Sequence, residues 1–99
     1  MISRQWYGLA RSERAQDCIR HLLTETFPAL GNIPGFVDAS ILPRTLTTGV
    51  QFQVVTRWNS IDAIVRFAGA DAEASVVPPQ VAEMMIEYDP RATHFEVVA

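Results

Sequence analysis

The sequence predicts an α+β fold: a ferredoxin-like β-α-β-β-α-β unit in which two helices cover one face of a four-stranded antiparallel sheet. Three observations predict it. Alternate residues of Val50–Trp58 share one face and are mostly apolar, as in a half-buried strand. After Asn59 the apolar spacing becomes helical and stops at Gly69, and the remaining apolar segments occur in the order that completes the unit. The length of 99 residues predicts a single domain, residues 1–99.

The first half of the chain predicts a strand, a long helix and a second strand. Their bounds are residues 1–9, 12–27 and 36–42. Ser12 is a suitable N-cap, and the helix is expected to end before Pro28, because the residue before a proline disfavours the helical region. A turn rich in Gly and Pro at residues 31–35 leads into the second strand, which Pro43 is expected to close.

The second half predicts a hairpin, a short helix and a closing strand. The bounds are residues 46–49 for the turn, 50–58 for the strand, 60–69 for the helix and 93–98 for the last strand. Ser60 suits the start of the helix and Gly69 suits its end. Before the last strand we expect a further helical turn within residues 70–77 and a short helix at residues 79–88.

The predicted strands place large side chains on both faces of the sheet. Trp6 and Tyr7 are neighbours and point to opposite faces, and so do His94 and Phe95. The two helices cover only one face, which would leave the other in water. A two-fold homodimer in which the two sheets pack face to face is therefore expected.

Composition and charge exclude several classes of function. A net charge of −3 gives no basic surface for nucleic acid, and no segment approaches the roughly 20 apolar residues of a membrane span. No helix has a cationic face for a membrane surface, and no signal peptide is visible. All eight basic side chains are arginines, which excludes a lysine Schiff base and a P-loop lysine. The single cysteine, Cys18, is expected to be a packing residue in a reducing, cytoplasmic compartment.

The sequence gives no indication of a metal or of a bound cofactor. The two histidines, His21 and His94, lie far apart in the chain, and the one cysteine adds no metal-ligand spacing. A glycine-rich phosphate loop is absent as well. We therefore expect no cofactor.

Four motifs extend over essentially the whole chain. They are I-x-R-x-W-x-G at residues 2–8, W-x-S-x-x-A-I-x-x-F-A-G-x-D at residues 58–71, V-V-P at residues 76–78 and H-F-E-V at residues 94–97. Together they resemble the antibiotic biosynthesis monooxygenase family of the dimeric α+β barrel superfamily. The resemblance implies a dimeric barrel. It also implies oxidation of anthrone-like or quinol-like aromatic molecules by molecular oxygen, without metal or flavin.

Another branch of that family degrades haem, using an asparagine, a tryptophan and an iron-binding histidine from the second helix. Trp58 is a possible match for the tryptophan. The predicted second helix, residues 60–69, has no histidine, and the first strand has no asparagine. The resemblance therefore favours the monooxygenase branch.

The resemblance and the residue types indicate seven candidate site residues. The predicted catalytic residues are His94, Arg4 and Asp71, and the predicted substrate-binding residues are Trp58, Trp6, Phe52 and Phe67. Imidazole titrates near neutral pH, and a guanidinium (of Arg4 or Arg57) can stabilise an enolate or phenolate. Structural roles remain open for several of them, among them a histidine held by Glu96, a helix cap at Asp71 and a core position for Trp58.

Two other classes of function remain open beside the leading prediction. That prediction is a cofactor-independent monooxygenase acting with O2 on an aromatic, anthrone-like or quinol-like small molecule. The same aromatic residues would suit a non-catalytic dimeric barrel that binds a small hydrophobic metabolite. An oxygen-independent isomerase with a single base would also be compatible with these residues.

Overall fold

Five antiparallel strands form a single sheet in the computed structural model, which describes residues 1–99. The strands are β1 (Ile2–Ala10), β2 (Phe36–Thr45), β3 (Val50–Trp58), β4 (Met85–Tyr88) and β5 (Thr93–Glu96). β3 lies between β2 and β1, and both β4 and β5 pair with the remaining edge of β1. The predicted α+β class and antiparallel sheet are confirmed.

Two short strands share the edge of β1 where one strand was predicted. β5 pairs with residues 2–5 and β4 with residues 8–10, and a bend separates the two strands. The prediction of a helix over residues 79–88 is wrong beyond its first turn, because only Pro79–Ala82 is helical. The free backbone groups of β1 need hydrogen-bond partners, and β4 supplies them. The helical spacing of residues 79–88 contains no information about this pairing with a strand that is distant in sequence.

The chain between β1 and β2 is one continuous helical segment. It consists of a 3₁₀ turn (Ser12–Arg14), α1 (Ala15–His21), a π-helical turn (Leu22–Thr26) and α2 (Phe27–Leu30). The predicted end before Pro28 is wrong. The Phe27 amide donates to the Leu22 carbonyl, five residues back, so the helix is already wider where the proline ring would press on the preceding turn.

β2 also runs further than predicted, through Pro43 to the end of the strand at Thr45. It is an edge strand, and an edge strand tolerates the missing N–H of a proline. The predicted turn at residues 46–49 is present, since the Leu46 amide donates to the Gly49 carbonyl at 2.8 Å.

After β3 the chain forms α3 (Ile61–Ala68), as predicted. The Ser60 hydroxyl accepts a hydrogen bond from the Ala63 amide at 3.2 Å and so caps the helix. Gly69 ends it with a φ of 90°, a conformation that glycine adopts at little cost. The two capping residues thus set the length of α3.

Residues 69–78 form an irregular segment, which we call the strap. No helix forms within residues 70–77, where a helical turn was expected; the segment contains a single hydrogen-bonded turn, in which the Ala74 amide donates to the Asp71 carbonyl at 3.0 Å. Instead, the strap is tied to the bend between β4 and β5, where the Ala92 amide donates to the Glu73 carbonyl at 2.8 Å. It then leads into α4 (Pro79–Ala82).

The helices pack on one face of the sheet, where the core forms two clusters. One cluster includes Phe52 and Cys18, and the other includes Trp58 and Ile64. These four are the largest fully buried side chains of the chain. Burial raises the pKa of the Cys18 thiol to about 11, so Cys18 packs as a protonated, unreactive group.

The opposite sheet face, which we call the open face, carries no helix and is more polar than predicted. Its polar side chains include Ser3, Gln5, Ser40, Gln51 and Gln53. Arg57 on β3 forms an ion pair across this face with Asp38 on β2. The exposed apolar side chains here include Leu42 (53% exposed) and Phe95 (51%).

We expect Gly35→Ala to destabilise the fold more than Gly69→Ala. Both glycines have a positive φ (95° and 90°), which strains a residue with a side chain by about 1–3 kcal/mol. A Cβ on Gly35 would lie only 2.5 Å from the Cβ of Ala63, whereas a Cβ on Gly69 would meet nothing within 4 Å. The difference between the urea midpoints of the two variants measures how closely Gly35, which directly precedes β2, approaches α3. Equal midpoints would contradict this expectation.

Candidate functional site

A cleft lies between the helices and the core face of the sheet, with the strap as one of its walls. Its inner chamber has a volume of about 70 Å³ and a mostly apolar lining, in which Arg4, Thr26 and Thr56 are the polar members. A more open outer chamber of about 270 Å³ adjoins it. The two chambers share five lining residues: Thr26, Leu30, Phe67, Val76 and Pro78.

Trp6 forms part of the inner wall. Its Nε1 donates to the Asp89 carbonyl at 3.0 Å, and its ring lies 6.0 Å from that of Tyr88. The indole passes over Gly8, where a Cβ would come within 2.7 Å of the ring. Gly8 therefore provides the space that lets Trp6 lie against β1.

The guanidinium of Arg4 is buried in the inner chamber, with only 5% of the residue exposed. Nη1 donates to the carbonyl of Ala72 and to Nε2 of His94 (2.8 Å), and Nη2 donates to the carbonyl of Ala74 (2.7 Å). Ala72 and Ala74 belong to the strap, so Arg4 holds the strap against β1 and β5. Its Cζ lies 5.7 Å from the ring centroid of Phe67, within the range of a cation–π contact.

Arg4 is a buried cation without a carboxylate partner. None of the four ion pairs of the chain includes Arg4. Burial lowers the pKa of Arg4, and the charge of the exposed Glu73 partly opposes that lowering. The Nε of Arg4 forms no hydrogen bond within the chain, and no fully buried side-chain nitrogen is unpaired, so Nε is not fully buried. Buried charges normally have partners. An anion in the inner chamber would supply the missing one.

His94 holds Arg4 from β5 and does not itself line the cleft. Its Nε2 accepts the N–H of Arg4, which requires a neutral imidazole with its proton on Nδ1. Burial lowers the pKa of His94, and the charge of Arg4 lowers it further, while Glu73 opposes both. The ring is therefore neutral at pH 7.

The predicted aromatic residues divide between the cleft and the core. Trp6 and Phe67 line the inner chamber. Phe52 and Trp58 are fully buried and do not reach it. Trp58 supports the wall from behind: its ring stacks on Phe67 at 5.9 Å, and its Nε1 donates to the hydroxyl of Thr56 at 2.8 Å.

Asp71 and Arg57 lie away from the cleft. Asp71 is exposed on the strap and accepts two hydrogen bonds of 2.9 Å from Arg91, which lower the pKa of Asp71. Arg57 is on the open face of the sheet. The predicted site residues that the structure brings together are Arg4, His94, Trp6 and Phe67.

Sequence reasoning missed many of the lining residues. They are Leu22, Thr26, Phe27 and Leu30 of the helical segment, Val54 and Thr56 of β3, Val76, Val77 and Pro78 of the strap, and Val81 of α4. The alternation of β3 places Val54 and Thr56 on the face of Trp58, and the V-V-P motif marks the strap, so these two signals were present in the sequence. The π-helical turn and the strap carbonyls that bind Arg4 have no comparable sequence signal.

Solved structures with the antibiotic biosynthesis monooxygenase fold are similar to this chain over nearly their whole length. A candidate antibiotic biosynthesis monooxygenase from Bacillus cereus has a TM-score of 0.69 at 17% identity, covering 100% of this chain and 93% of the other. The heme-degrader MhuD from Mycobacterium tuberculosis, with two hemes in its active site, has a TM-score of 0.61 at 21% identity, covering 100% and 97%. The monooxygenase ActVA-Orf6 of Streptomyces coelicolor, in complex with nanaomycin D, has a TM-score of 0.60 at 16% identity, covering 99% and 87%.

No protein-family model and no curated protein matched the sequence. At the identities of the solved structures, the similarity shows the fold and does not show the reaction. The resemblance read from the motifs is thus confirmed at the level of structure: the chain has the antibiotic biosynthesis monooxygenase fold.

We expect the stability of the protein to fall as the pH drops below about 6.5, and His94→Gln to remove part of this loss. The ordinary pKa of His94 is 6.5, and in the folded chain its pKa is lower. Between these two values the unfolded state binds a proton that the folded state does not bind, so acid favours unfolding. Glutamine can accept the hydrogen bond from Arg4 but does not titrate.

The measurement is the free energy of unfolding in urea at about pH 8 and about pH 5. His21→Gln is the matched control, because it leaves the His94–Arg4 hydrogen bond in place and should keep the wild-type dependence. A pH dependence that is the same in His94→Gln and in the wild type would contradict the assignment.

Proposed function

We propose that the protein is a cofactor-independent monooxygenase that oxidises an acidic aromatic molecule, of the anthrone or quinol type, with molecular oxygen. The observation that carries the proposal is the buried guanidinium of Arg4, which lies in an apolar chamber without a carboxylate partner. A phenolate or enolate combines an apolar ring with the negative charge that this chamber lacks. Two of the similar structures carry the name monooxygenase, one of them with nanaomycin D bound.

Arg4 would act by stabilising the ionised form of the substrate. A guanidinium next to a ring hydroxyl or enol lowers its pKa, so that the substrate ionises near neutral pH. The electron-rich anion then transfers one electron to O2, and the two radicals combine to form a carbon–oxygen bond. The resulting peroxide anion takes up a proton from water, and loss of water from this hydroperoxide converts the CH2 group of an anthrone to a carbonyl, so one oxygen atom enters the product and the other leaves as water.

The other predicted site residues would support this step from different positions. Trp6 and Phe67 line the chamber and would contact the ring. His94 would position Arg4, and Asp71 would act at a distance by fastening the strap whose carbonyls hold Arg4. The substrate proton would leave through the outer chamber, because no carboxylate or imidazole lines the inner one.

A carrier of a small hydrophobic anion is the second candidate function. The inner chamber provides an anion partner in Arg4 but no general base, and binding without turnover needs no base. An isomerase would need such a base at hydrogen-bonding distance from its substrate. The lining residues therefore favour the carrier over the isomerase.

Haem degradation, the activity named for MhuD, fits these residues poorly. α3 has no histidine, and His94 does not line the cleft and engages its Nε2 with Arg4. The one histidine that lines the cleft, His21, belongs to the outer chamber. An iron in the inner chamber would have no imidazole ligand among its lining residues.

We also propose that the protein forms a homodimer through the open face of the sheet. No helix covers this face, and Leu42 and Phe95 are about half exposed on it. A chain of this length buries a limited share of its surface when it folds alone, and a second copy would cover these residues.

A cytoplasmic location is proposed from the cysteine content. The single cysteine, Cys18, is buried and unpaired, so the fold needs no oxidising compartment. None of the helices is both long enough and apolar enough to cross a membrane.

Purified, metal-free protein should take up oxygen with at least one member of a panel of anthrones and hydroquinones, faster than the autoxidation blank and unaffected by a chelator. The rate is the formation, followed by absorbance, of the anthraquinone from an anthrone or of a hydroxylated quinone from a hydroquinone. Arg4→Gln should lower this rate about 100-fold or more, as removal of a preorganised oxyanion donor does in other enzymes.

Arg57→Gln is the matched control for Arg4→Gln, because Arg57 lies on the other face of the sheet. It should retain the wild-type rate. Saturable binding of a panel member without oxygen uptake would contradict the monooxygenase and favour the carrier. Turnover that proceeds equally well without oxygen would favour an isomerase.

In solution the protein should have a mass of about 22 kDa, twice the 11.0 kDa of the chain. Leu42→Glu places a charge on the open face and should weaken the dimer about tenfold or more. Leu23→Glu makes the same change at an equally exposed position of the helical segment (56% against 53%) and should leave the dimer unchanged. Sedimentation equilibrium checks both variants, and a wild-type monomer at micromolar concentration would refute this architecture.

A further inference from the structure

The cleft carries polar groups at both of its ends. Arg4 lines only the inner chamber, whereas His21 and Glu25 line only the outer one. Four of the five residues shared by the two chambers are apolar. Along its length the cleft therefore presents a cation, an apolar middle, and then a carboxylate together with an imidazole.

The π-helical turn brings the helical segment to both chambers. Residues 22, 26 and 30 line the inner chamber, the last two of them also the outer one, and residues 21, 25 and 29 line only the outer chamber, so two rows run side by side with a spacing of four. In a regular α-helix each step of four residues advances about 40° around the axis, and such a row would turn away from the cleft. One wider turn compensates for this drift and keeps both rows in place.

Neither end of the cleft is neutralised by the protein itself. Arg4 is buried without a carboxylate partner, and Glu25 is exposed and takes part in none of the four ion pairs. The two charges are also of opposite sign. A ligand with complementary groups at its two ends would satisfy both.

We propose that the ligand of this cleft is an aromatic molecule with an acidic group at one end and an ammonium group at the other. The acidic group binds Arg4, the apolar middle contacts Phe67 and Val76, and the ammonium donates to Glu25, with His21 as a second acceptor. The proposal rests on the part of the proposed function in which Arg4 binds an acidic aromatic molecule in the inner chamber. It adds the direction of entry: the acidic end goes in first.

The two ends contribute differently to binding. The charge of Arg4 is buried, so its attraction for an anion is weakly screened and sets most of the affinity. Glu25 is exposed and acts like a partner in a surface ion pair. Such a pair adds little binding energy, but it favours a ligand with an ammonium group over one without it. Glu25 is thus a specificity residue, and Arg4 is the anchor.

Two probes test the proposal. Both are 2-naphthalenesulfonates, which stay ionised over the whole working pH range, and they differ only at ring position 6. One carries an aminomethyl group, which is an ammonium at neutral pH, and the other carries an ethyl group of the same shape without the charge. The dissociation constant of each is measured by calorimetry at low ionic strength and without oxygen. The informative quantity is the preference ratio, the ethyl Kd divided by the aminomethyl Kd.

Glu25→Gln should lower the preference ratio about threefold to fivefold, as expected for an exposed ion pair, with little change for the ethyl probe. Arg4→Gln should weaken both probes about tenfold or more and leave the ratio unchanged. Glu13→Gln removes a carboxylate of the same helical segment outside the cleft, and should change neither affinity.

A ratio that is the same in Glu25→Gln and in the wild type would overturn the proposal. An equal fall in Glu13→Gln would overturn it as well, because the preference would then come from the general charge of the helical segment. So would the absence of saturable binding of both probes. Since no oxygen is present, these binding results do not depend on turnover. If the expected ratios are found and the separate uptake experiment shows no oxygen consumption, this inference stands and the monooxygenase is contradicted.

Discussion

The guanidinium of Arg4 connects three parts of the chain that are distant in sequence. It extends from β1, its donors bind two carbonyls of the strap, and its remaining hydrogen bond goes to His94 on β5. All of these partners are neutral acceptors, so they fix the position of the guanidinium without cancelling its charge. The wall formed by the strap, the neutral state of His94 and the polarity of the inner chamber all depend on this arrangement.

Such an arrangement is costly for the fold while the cleft is empty. A charge removed from water loses hydration energy, and hydrogen bonds to carbonyls and an imidazole compensate for only part of that loss. In the proposed function an anionic ligand would complete the compensation and bind only the folded state, so ligand binding and stability would be linked. The same cation that costs the empty protein hydration energy would then supply most of its affinity.

Local sequence patterns determine some elements of the fold and fail for others, for identifiable reasons. The alternation of Val50–Trp58 and the caps Ser60 and Gly69 are local signals, and β3 and α3 form as they predict. β4 could not be predicted from its own residues, because it exists only as a partner for the far end of β1. The proline rule at Pro28 failed because it assumes α-helical geometry, and the turn before it is wider.

The candidate site shows the same limit at the level of single residues. Alternation places Arg4 and Trp6 on one face of β1 and Trp58 on one face of β3, and the pairing of the two strands makes these the same sheet face. It says nothing about what covers each of them: α3 packs over Trp58 and seals it, whereas Trp6 lies where the helical segment leaves a gap. The face of a side chain follows from the sequence, but its depth depends on the packing of distant elements.

The π-helical turn at Leu22–Thr26 has a consequence for how this cleft can change. Such a turn contains one residue more than a regular helix of the same rise, as if an insertion had been absorbed without breaking the segment. Removing one residue there would restore the regular helix, and the side chains before and after the turn would keep their faces, because the wider turn accommodates only the extra residue. The residues of the turn itself, among them Glu25 and Thr26, would be redistributed over the two chambers, while every side chain of the sheet stayed where it is. The lining of the cleft can therefore change through a one-codon deletion that leaves the rest of the helical segment in register.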